Sequence, residues 1–371
     1  MKLQIASSKF MNLLPNLLHS IYRKNRKEDL PVFTQSEMPL PRRLLIAATY
    51  RCNAKCPHCY FLQQNRKLFD EQTVMAENLF QRIMASPYTR NISSMMFGGG
   101  EALLHPSLFK WMDQADQRGF PKITTISKGL SLQNDEIVEN LLKRDYLDGF
   151  NISLDAITQD AYCRAKGIKR CDFEKICQQI KRIADRFRGT QTIISGSFVT
   201  TCLNAAETHR IIRFGESLGL QKLFLHAYHE AAGSLTMQSK AQQTKEVMAI
   251  SDQIMTRTDY QIDVRIKLPF GASKHMFFCG SLANNLCIGA NGFLAPCCHI
   301  PWDLKYGHFE QVEDNPINSP RTVALRKKFV RAAAKNNPEL LPAACRFCSK
   351  RTKGQLLFRA KNKKWTRKPK K

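Results

Sequence analysis

No stretch of this 371-residue sequence approaches the about eighteen consecutive apolar residues that a membrane-spanning helix requires, so we expect no such helix. A leader of signal-peptide form is also lacking. The 13 cysteines cluster at metal-ligand spacings, unlike the disulfide framework of a small secreted domain. These features predict a cytoplasmic protein whose thiols stay reduced.

Acidic residues are scarce: 31 Asp and Glu stand against 57 Lys and Arg, which gives a formal net charge of +26. Such a surplus predicts affinity for an anionic partner, whether an acidic peptide, a phosphorylated substrate, nucleic acid or a lipid surface. The hydrophobic content of 43% allows a sizeable core and argues against a globally disordered chain.

Local composition divides the chain into five predicted segments. Residues 1–40 form a basic, amphipathic N-terminal extension, which either rests on a membrane surface or packs against its own protein. Residues 41–230 form a barrel, 231–275 a bridging segment, and 276–350 a domain with a second group of cysteines. Residues 351–371 are rich in Lys and Arg, and we interpret them as a solvated tail or as a contact to a membrane surface or nucleic acid.

Short apolar runs alternate with amphipathic helical stretches through the second segment, which predicts βα units and a parallel sheet. Six such units indicate an α/β fold, a partial (β/α)6 TIM-like barrel, in which functional residues follow the C-terminal ends of the strands. The predicted strands are Leu44–Tyr50, Ile92–Phe97, Lys122–Ile126, Gly149–Leu154, Ile193–Thr200 and Leu223–His226.

Three cysteines follow the first predicted strand in a C-x3-C-x2-C run: Cys52, Cys56 and Cys59. Four thiolates normally complete a [4Fe–4S] cluster, so three close together can bind three irons and leave the fourth iron open. Zinc sites more often use C-x2-C pairs, and zinc-binding or adventitious cysteines remain the alternative. The spacing and the preceding strand resemble the radical S-adenosylmethionine (SAM) superfamily, in which SAM binds the open iron of a [4Fe–4S] cluster.

The resemblance continues at the ends of the following strands. Gly98–Glu101 and the next five residues are similar to the family's GGEPLLHP segment, which implies that Glu101 binds the SAM amino group. Arg164 matches an arginine that pairs with the SAM carboxylate, for which planar donors are suited. Two positions depart from the family: His58 replaces an aromatic residue, and Lys128 an asparagine. The implied cofactor-binding residues are His58, Gly99, Gly100, Glu101, Ser127, Ser153, Asp155, Arg164 and Asn204.

Cysteines outside the ligand spacings have an ordinary explanation as small buried side chains. Cys202, which follows the fifth strand, is the exception, since a thiol at the barrel mouth is placed to donate a hydrogen atom to a substrate radical. His226 and His229 follow the sixth strand and are either substrate contacts or polar residues of the rim.

A second group of cysteines lies beyond the barrel. A hairpin containing Gly292 and a distant C-x2-C pair can together close one tetrahedral site for iron–sulfur or zinc. The arrangement resembles the SPASM and twitch extensions of radical SAM enzymes. No cysteine follows the C-x2-C pair, which favours the twitch form with one auxiliary [4Fe–4S] cluster. The implied ligands are Cys279, Cys297, Cys345 and Cys348, with Cys287 and Cys298 as alternatives.

The resemblance implies an enzyme that receives an electron from a donor such as flavodoxin or ferredoxin, cleaves SAM to a 5′-deoxyadenosyl radical and abstracts a substrate hydrogen. The expected substrate is a ribosomally synthesised peptide, which would be cross-linked, joined through a thioether or epimerised. A dehydrogenase or epimerase of a small hydroxylated or anionic molecule, such as an aminocyclitol or sugar, is the alternative. A non-catalytic Fe–S or zinc protein that binds nucleic acid would not need Gly98–Glu101, Ser153 and Arg164 at strand ends.

Overall fold

The structure is a computed structural model, and part of the chain is described by it. The expectations for residues 1–39 and for Cys202, Asn204, His229, Cys298 and Cys348 lie outside the described residues. The described residues are 40–59, 70, 72–200, 205–227, 259–267, 279, 281–297, 307–312, 315–335, 337–342, 345 and 355–358.

The described strands form one ten-stranded sheet in the order β10-β7-β6-β5-β4-β3-β2-β1-β8-β9. Strands β1 to β7 run parallel in sequence order, and β8 pairs with the opposite edge of β1, also in parallel. Strand β9 forms an antiparallel hairpin with β8, and β10 is antiparallel to β7. The strands are β1 Arg43–Thr49, β2 Ser94–Gly99, β3 Ile123–Ser127, β4 Gly149–Ser153, β5 Ile193–Thr200, β6 Lys222–Ala227, β7 Asp263–Lys267, β8 Asn285–Ile288, β9 Leu294–Ala295 and β10 Gln355–Phe358.

The α/β prediction and the open, partial barrel are confirmed, and the sheet extends beyond the six predicted units. Strand β7 lies inside the predicted bridging segment, where alternating charged and apolar residues gave too short an apolar signal to be recognised. Strand β8 belongs to the predicted cysteine-rich domain, yet it lengthens the same sheet by pairing with β1.

Helices connect the successive parallel strands from β1 to β6, as right-handed βα crossovers require. A representative is the helix Phe173–Arg186, which buries Ile176, Ile180 and Ile183 at helical spacing. Its first turn is capped by the Asp172 side chain, which accepts from the backbone N–H of Lys175 at 2.8 Å. The helices are α1 Glu77–Ala85, α2 Leu108–Gln117, α3 Asp135–Leu142, α4 Gln159–Lys166, α5 Phe173–Arg186, α6 Ala205–Ser217, α7 Ser281–Asn284 and α8 Pro320–Ala334.

The two faces of the parallel strands differ in polarity. On β4, Phe150 and Ile152 are buried with the helix side chains in the main hydrophobic core, whereas Asn151 and Ser153 on the opposite face stay partly exposed. Because side chains alternate along a strand, every parallel strand presents one face to the helices and one to the interior of the open barrel. We call the second face the inner face.

A second, smaller core lies outside the barrel. It contains the buried side chains Phe329 and Leu325 of α8 and the three cysteines Cys279, Cys297 and Cys345. The cysteine-rich region therefore contributes a strand to the main sheet and also forms a separate hydrophobic cluster. In the part of the chain that the structure describes, no helix has the length and apolarity to cross a membrane.

Candidate active site

The three-cysteine loop begins directly beyond the end of β1. Cys52 and Cys56 are partly buried against the main core, and the backbone N–H of Cys59 donates to the carbonyl of Cys56 at 3.0 Å. All three thiols keep some exposure to solvent. Burial raises the pKa of Cys52 to about 11 and also raises the pKa of Cys56. Iron binding must therefore displace protons from these thiols, as it does at thiolate sites generally.

Gly99 and Gly100 let the end of β2 pack directly against the chain that enters the cysteine loop. The backbone N–H of Gly100 donates to Thr49 O, and that of Glu101 to Arg51 O, both at 2.8 Å. A Cβ on Gly99, whose φ is +115°, would lie 2.3 Å from Thr49 O, and one on Gly100 would lie 2.3 Å from Arg51 O. Glycine is required here for backbone contact with β1. Contact of the same residues with SAM stays a prediction.

Glu101 is fully buried where β2 ends, and its carboxylate accepts three hydrogen bonds. Leu103 N–H donates to one oxygen at 3.2 Å, while Ser127 Oγ and Lys128 N–H donate to the other at 3.1 Å and 2.6 Å. Burial raises the pKa of Glu101. A carboxylate offers about four lone-pair sites, so one acceptor position remains. Binding of the SAM amino group at that position stays a prediction.

Ser127 and Lys128 connect β3 to this carboxylate. Ser127 Oγ donates to Glu101 and accepts from Gly129 N–H at 3.0 Å, so its single donor and one of its two acceptor positions are used within the protein. Burial alone would lower the pKa of the Lys128 ammonium, but the neighbouring Cys52 thiol and Glu101 raise it. A cation thus stands beside the cysteine loop at the position where radical SAM enzymes often carry asparagine.

Asp155 and Lys166 form a buried ion pair where β4 ends. Lys166 is 0% exposed, and its Nζ donates to an Asp155 carboxylate oxygen and to the Ser153 carbonyl, both at 2.6 Å. The other Asp155 oxygen accepts from Val199 N–H at 2.9 Å. Burial alone would raise the pKa of Asp155, but the charge of Lys166 and a hydrogen bond from His58 lower it below its ordinary range. This pair links β4, β5 and α4.

The same pair lies against the cysteine loop. His58 Nε2 is 3.6 Å from Asp155 Oδ2, and the backbone N–H of Lys55 donates to the carbonyl of Lys166 at 2.7 Å. Gly167 follows with φ +62°, and a Cβ there would lie 2.2 Å from Lys55 O. The C-terminal end of α4 is therefore the surface on which the loop rests. His58 contacts Asp155, and its stacking on the SAM adenine stays a prediction.

Arg164 lies on the exposed side of α4, two residues before Lys166. Helical geometry explains why Arg164 is exposed whereas Lys166 is buried, since residues two apart on a helix point in nearly opposite directions. Tyr162 and Lys166 are four residues apart and share the buried side. Lys166 was not predicted from the sequence, although its spacing of four residues from Tyr162 indicates the buried side of the helix. Pairing of Arg164 with the SAM carboxylate stays a prediction.

Ser153 belongs to a polar row on the inner face. Ser197 Oγ lies 3.5 Å from Ser153 Oγ and donates to Asn151 Oδ1 at 3.2 Å, and Asn151 Nδ2 donates to Ser195 Oγ at 2.9 Å. These hydroxyls and the amide orient one another across β4 and β5. A ribose contact of Ser153 stays a prediction.

Three of the four predicted auxiliary ligands lie in one hydrophobic cluster, and their role as ligands stays a prediction. Cys279, Cys297 and Cys345 are buried in the second core, whereas Cys287 lies on β8, fully buried in the main core opposite Leu45. Cys287 thus belongs to a different hydrophobic cluster from the other three, and its role as their substitute stays a prediction. Cys163 and Cys171, two of the cysteines outside the ligand spacings, have their sulfur atoms 3.4 Å apart.

The donor sets fit iron–sulfur clusters by their chemistry. Each iron of a [4Fe–4S] cluster needs one thiolate, and the loop after β1 offers three. Among the described residues, no group of three or more His, Cys, Asp or Glu side chains converges on a single metal-ion position. The fit accordingly rests on the spacing and the partial exposure of Cys52, Cys56 and Cys59.

Residues 46–201 match the family model described as the radical SAM superfamily. The chain is 24% identical over 295 residues to the antilisterial bacteriocin subtilosin biosynthesis protein AlbA of Bacillus subtilis. This aligned region covers 77% of this chain and 61% of AlbA. It is 23% identical over 266 residues to the GTP 3′,8-cyclase of Clostridium botulinum, which covers 69% of this chain and 81% of that protein. The chain spans less than two thirds of the length of AlbA.

Solved structures share the fold. The structure of Streptococcus suis SuiB bound to precursor peptide SuiA superposes with a TM-score of 0.61 at 14% identity, which covers 88% of this chain and 75% of SuiB. The fold and the strand-end residues define a partial-barrel protein with a three-cysteine cluster loop. Residues 46–201 are thus similar to the radical SAM superfamily of enzymes, whose cofactors are SAM and a [4Fe–4S] cluster.

Proposed function

We propose that this chain is a radical SAM enzyme that modifies a ribosomally synthesised peptide. The observation that carries the proposal is the match to AlbA, a bacteriocin biosynthesis protein, over 77% of the chain. The matched fraction of the chain is larger than the fraction that lies between the start of β1 and the end of β7. The similarity to AlbA therefore continues outside the barrel. The fold shared with SuiB, whose structure contains a precursor peptide, adds support.

Cys52, Cys56 and Cys59 would hold the cluster that binds SAM, and together these cofactors would supply the radical that abstracts a substrate hydrogen. The protein holds the loop in place through the Asp155–Lys166 pair. Glu101 offers its remaining acceptor position to the SAM ammonium group. The open inner face of β5 to β7 then provides the space for a substrate.

We extend the proposal to one auxiliary [4Fe–4S] cluster bound by Cys279, Cys297, Cys345 and Cys348. The support is the shared burial of the first three thiols in the second core, next to the apolar face of α8. A buried site with thiolate ligands suits an iron–sulfur cluster, whose reduction potential depends on its solvent exposure and on the neighbouring groups. An electron donor such as flavodoxin or ferredoxin would supply the reducing electron.

The test uses the full chain reconstituted anaerobically with iron and sulfide. We expect about eight irons per chain and 5′-deoxyadenosine formation under a strong reductant. Incubation with short peptides encoded beside the gene should yield a product lighter by two hydrogens, or one that takes up solvent deuterium if the reaction is an epimerisation.

Cys56→Ala is the matched variant, because it removes one ligand of the SAM-binding cluster and leaves the second core untouched. It should abolish deoxyadenosine formation while about half of the iron remains. Undiminished deoxyadenosine formation by this variant would overturn the assignment of the cysteine loop. SAM cleavage without any peptide product would leave the superfamily assignment intact and contradict the peptide proposal.

A second candidate, a reaction on a small ribose-containing molecule, is favoured by the GTP 3′,8-cyclase relatives. The match to the Clostridium botulinum cyclase covers 81% of that protein. Formation of a cyclised product from GTP by the same reconstituted chain would select this function over peptide modification.

A further inference from the structure

Side chains on the inner face of β4 to β7 form rows across the sheet. The register pairs Ser153 with Ser197, Ser197 with Phe224, and Phe224 with Arg265. One row therefore contains two hydroxyls, an aromatic ring and a guanidinium. Phe224 and Arg265 are partly exposed, while their neighbours along β6 and β7 are buried in the main core. This row faces the interior of the open barrel.

Arg265 is the cation of this row. Its guanidinium carbon lies 5.6 Å from the centroid of the Phe224 ring, a cation–π distance. Among the described residues, no carboxylate forms an ion pair with Arg265. The neighbouring strand β10 carries no acidic residue. An arginine held on an aromatic face keeps its in-plane donors free for a planar carboxylate.

Among the described residues, the acidic groups of the inner face lie opposite or are bonded to partners other than Arg265. Asp263 precedes Arg265 by two positions on the same face of β7, and its partner in the register is Lys222 on β6. On the far side, the Asp155 carboxylate is bonded to Lys166 and to Val199 N–H. An incoming anion would thus meet an arginine whose donors are not committed to a carboxylate of the described chain.

This end of the barrel is distinct from the part implicated in SAM binding. Glu101, Ser127 and the cysteine loop follow β1 to β3, and the superfamily match ends at residue 201, before β6 and β7 begin. Strands β6 and β7 therefore lie outside the region matched by the superfamily model, and we expect them to contribute to substrate selection.

We propose that Arg265, supported by Phe224, binds a side-chain or terminal carboxylate of the peptide substrate. The inference rests on the proposed function and names an acidic peptide as its substrate class. The carboxylate would accept two parallel N–H bonds from the guanidinium, and the hydroxyls of Ser153 and Ser197 lie along the same row. Arg265 is a specificity residue, which orients the substrate toward the cofactor end of the barrel.

The experiment measures binding to the reconstituted full chain by calorimetry. The probes are acetyl-Glu-Glu-Glu-amide, the neutral acetyl-Gln-Gln-Gln-amide and inorganic pyrophosphate. We expect the wild-type chain to prefer the Glu peptide over the Gln peptide by about tenfold, the effect of one charge-assisted pair. Arg265→Gln should lose that preference, and Arg265→Lys should retain part of it because a lysine keeps the charge without the planar fork.

Arg331→Gln on α8 is the charge-matched control, because Arg331 is exposed and lies outside the barrel. This variant should keep the preference. Equal loss in both variants, or a preference that persists in Arg265→Gln, would overturn the inference and indicate general attraction to a basic protein. If Arg265→Gln unfolds at a lower temperature than the wild-type chain, the test of the inference is the peptide preference of Arg265→Lys compared with that of the wild-type chain.

Two further outcomes separate this inference from the proposed function. A loss of pyrophosphate binding with unchanged peptide preference in Arg265→Gln would contradict the carboxylate assignment and identify a phosphate site. Peptide modification that proceeds equally well in Arg265→Gln would overturn the inference and leave the proposed function standing. A chain that cleaves SAM but modifies no peptide would fail at the proposed function itself.

Discussion

At the scale of single residues, the chemistry of the site depends on groups whose charges are satisfied within the protein. Asp155 has a φ of 63°, the only positive φ of a non-glycine residue among the described residues. This conformation, which aspartate tolerates better than most residues, aims its carboxylate at Lys166 and at Val199 N–H. Removing one partner of such a buried pair leaves an uncompensated charge, which costs more than the pair contributes.

Lys166→Met should accordingly lower the free energy of unfolding by about 3–5 kcal/mol. Urea unfolding of the full chain measures this loss. Arg164→Met is the control, since Arg164 lies exposed on the same helix and its replacement should change stability by about 0.5 kcal/mol or less. Similar losses in both variants would show that Lys166 is not the buried partner of Asp155.

At the scale of secondary-structure elements, the cysteine loop is held in place by the end of a strand and the end of a helix. The β2 end approaches it through Gly99 and Gly100, and α4 ends against it at Gly167. The sequence predicted the loop and its glycine-rich neighbour, because both are contiguous motifs. It did not predict the α4 contact, since a single glycine after a helix is also an ordinary C-cap and only the folded chain brings Lys55 close to it.

Gly167→Ala should therefore displace the cysteine loop, because the new Cβ would overlap Lys55 O. Gly189→Ala is a well-matched control: its φ is +77°, and a Cβ there would have nothing within 4 Å. Both variants carry the cost of a left-handed alanine, about 1–2 kcal/mol. Only Gly167→Ala should also reduce iron bound after reconstitution, measured per folded chain. Equal iron content in the two variants would contradict the role of α4 as the resting surface of the loop.

At the scale of the whole molecule, sequence patterns predicted the barrel better than its surroundings. The six predicted strands contain apolar runs long enough to be recognised, and their ends carry the motif residues. Strand β7 has only Val264 and Ile266 as apolar residues and was missed. Arg265 was missed with it, because its position on the inner face follows from pairing with β6, and long-range pairing is not encoded in a local pattern.

The division of the cysteine-rich region between two cores leads to a prediction about metal content. Cys345 lies in the second core with Cys279 and Cys297, whereas Cys287 is buried on β8 between β1 and β9. Cys345→Ser should therefore lose about half of the reconstituted iron, because it removes a ligand of the auxiliary cluster. Cys287→Ser should keep its iron and lose stability, since it places a hydroxyl in an apolar core.

Iron analysis and thermal unfolding of both variants, with Cys56→Ala alongside, separate the possible arrangements. Loss of iron in Cys287→Ser with none in Cys345→Ser would exchange their roles and place a ligand inside the main sheet. Full iron in both would remove the auxiliary cluster from the proposal while leaving the barrel cluster to be judged by Cys56→Ala. The expected result is that Cys56→Ala and Cys345→Ser each lose a different half of the bound iron. Two clusters in two separate cores predict this result, whereas a single site does not.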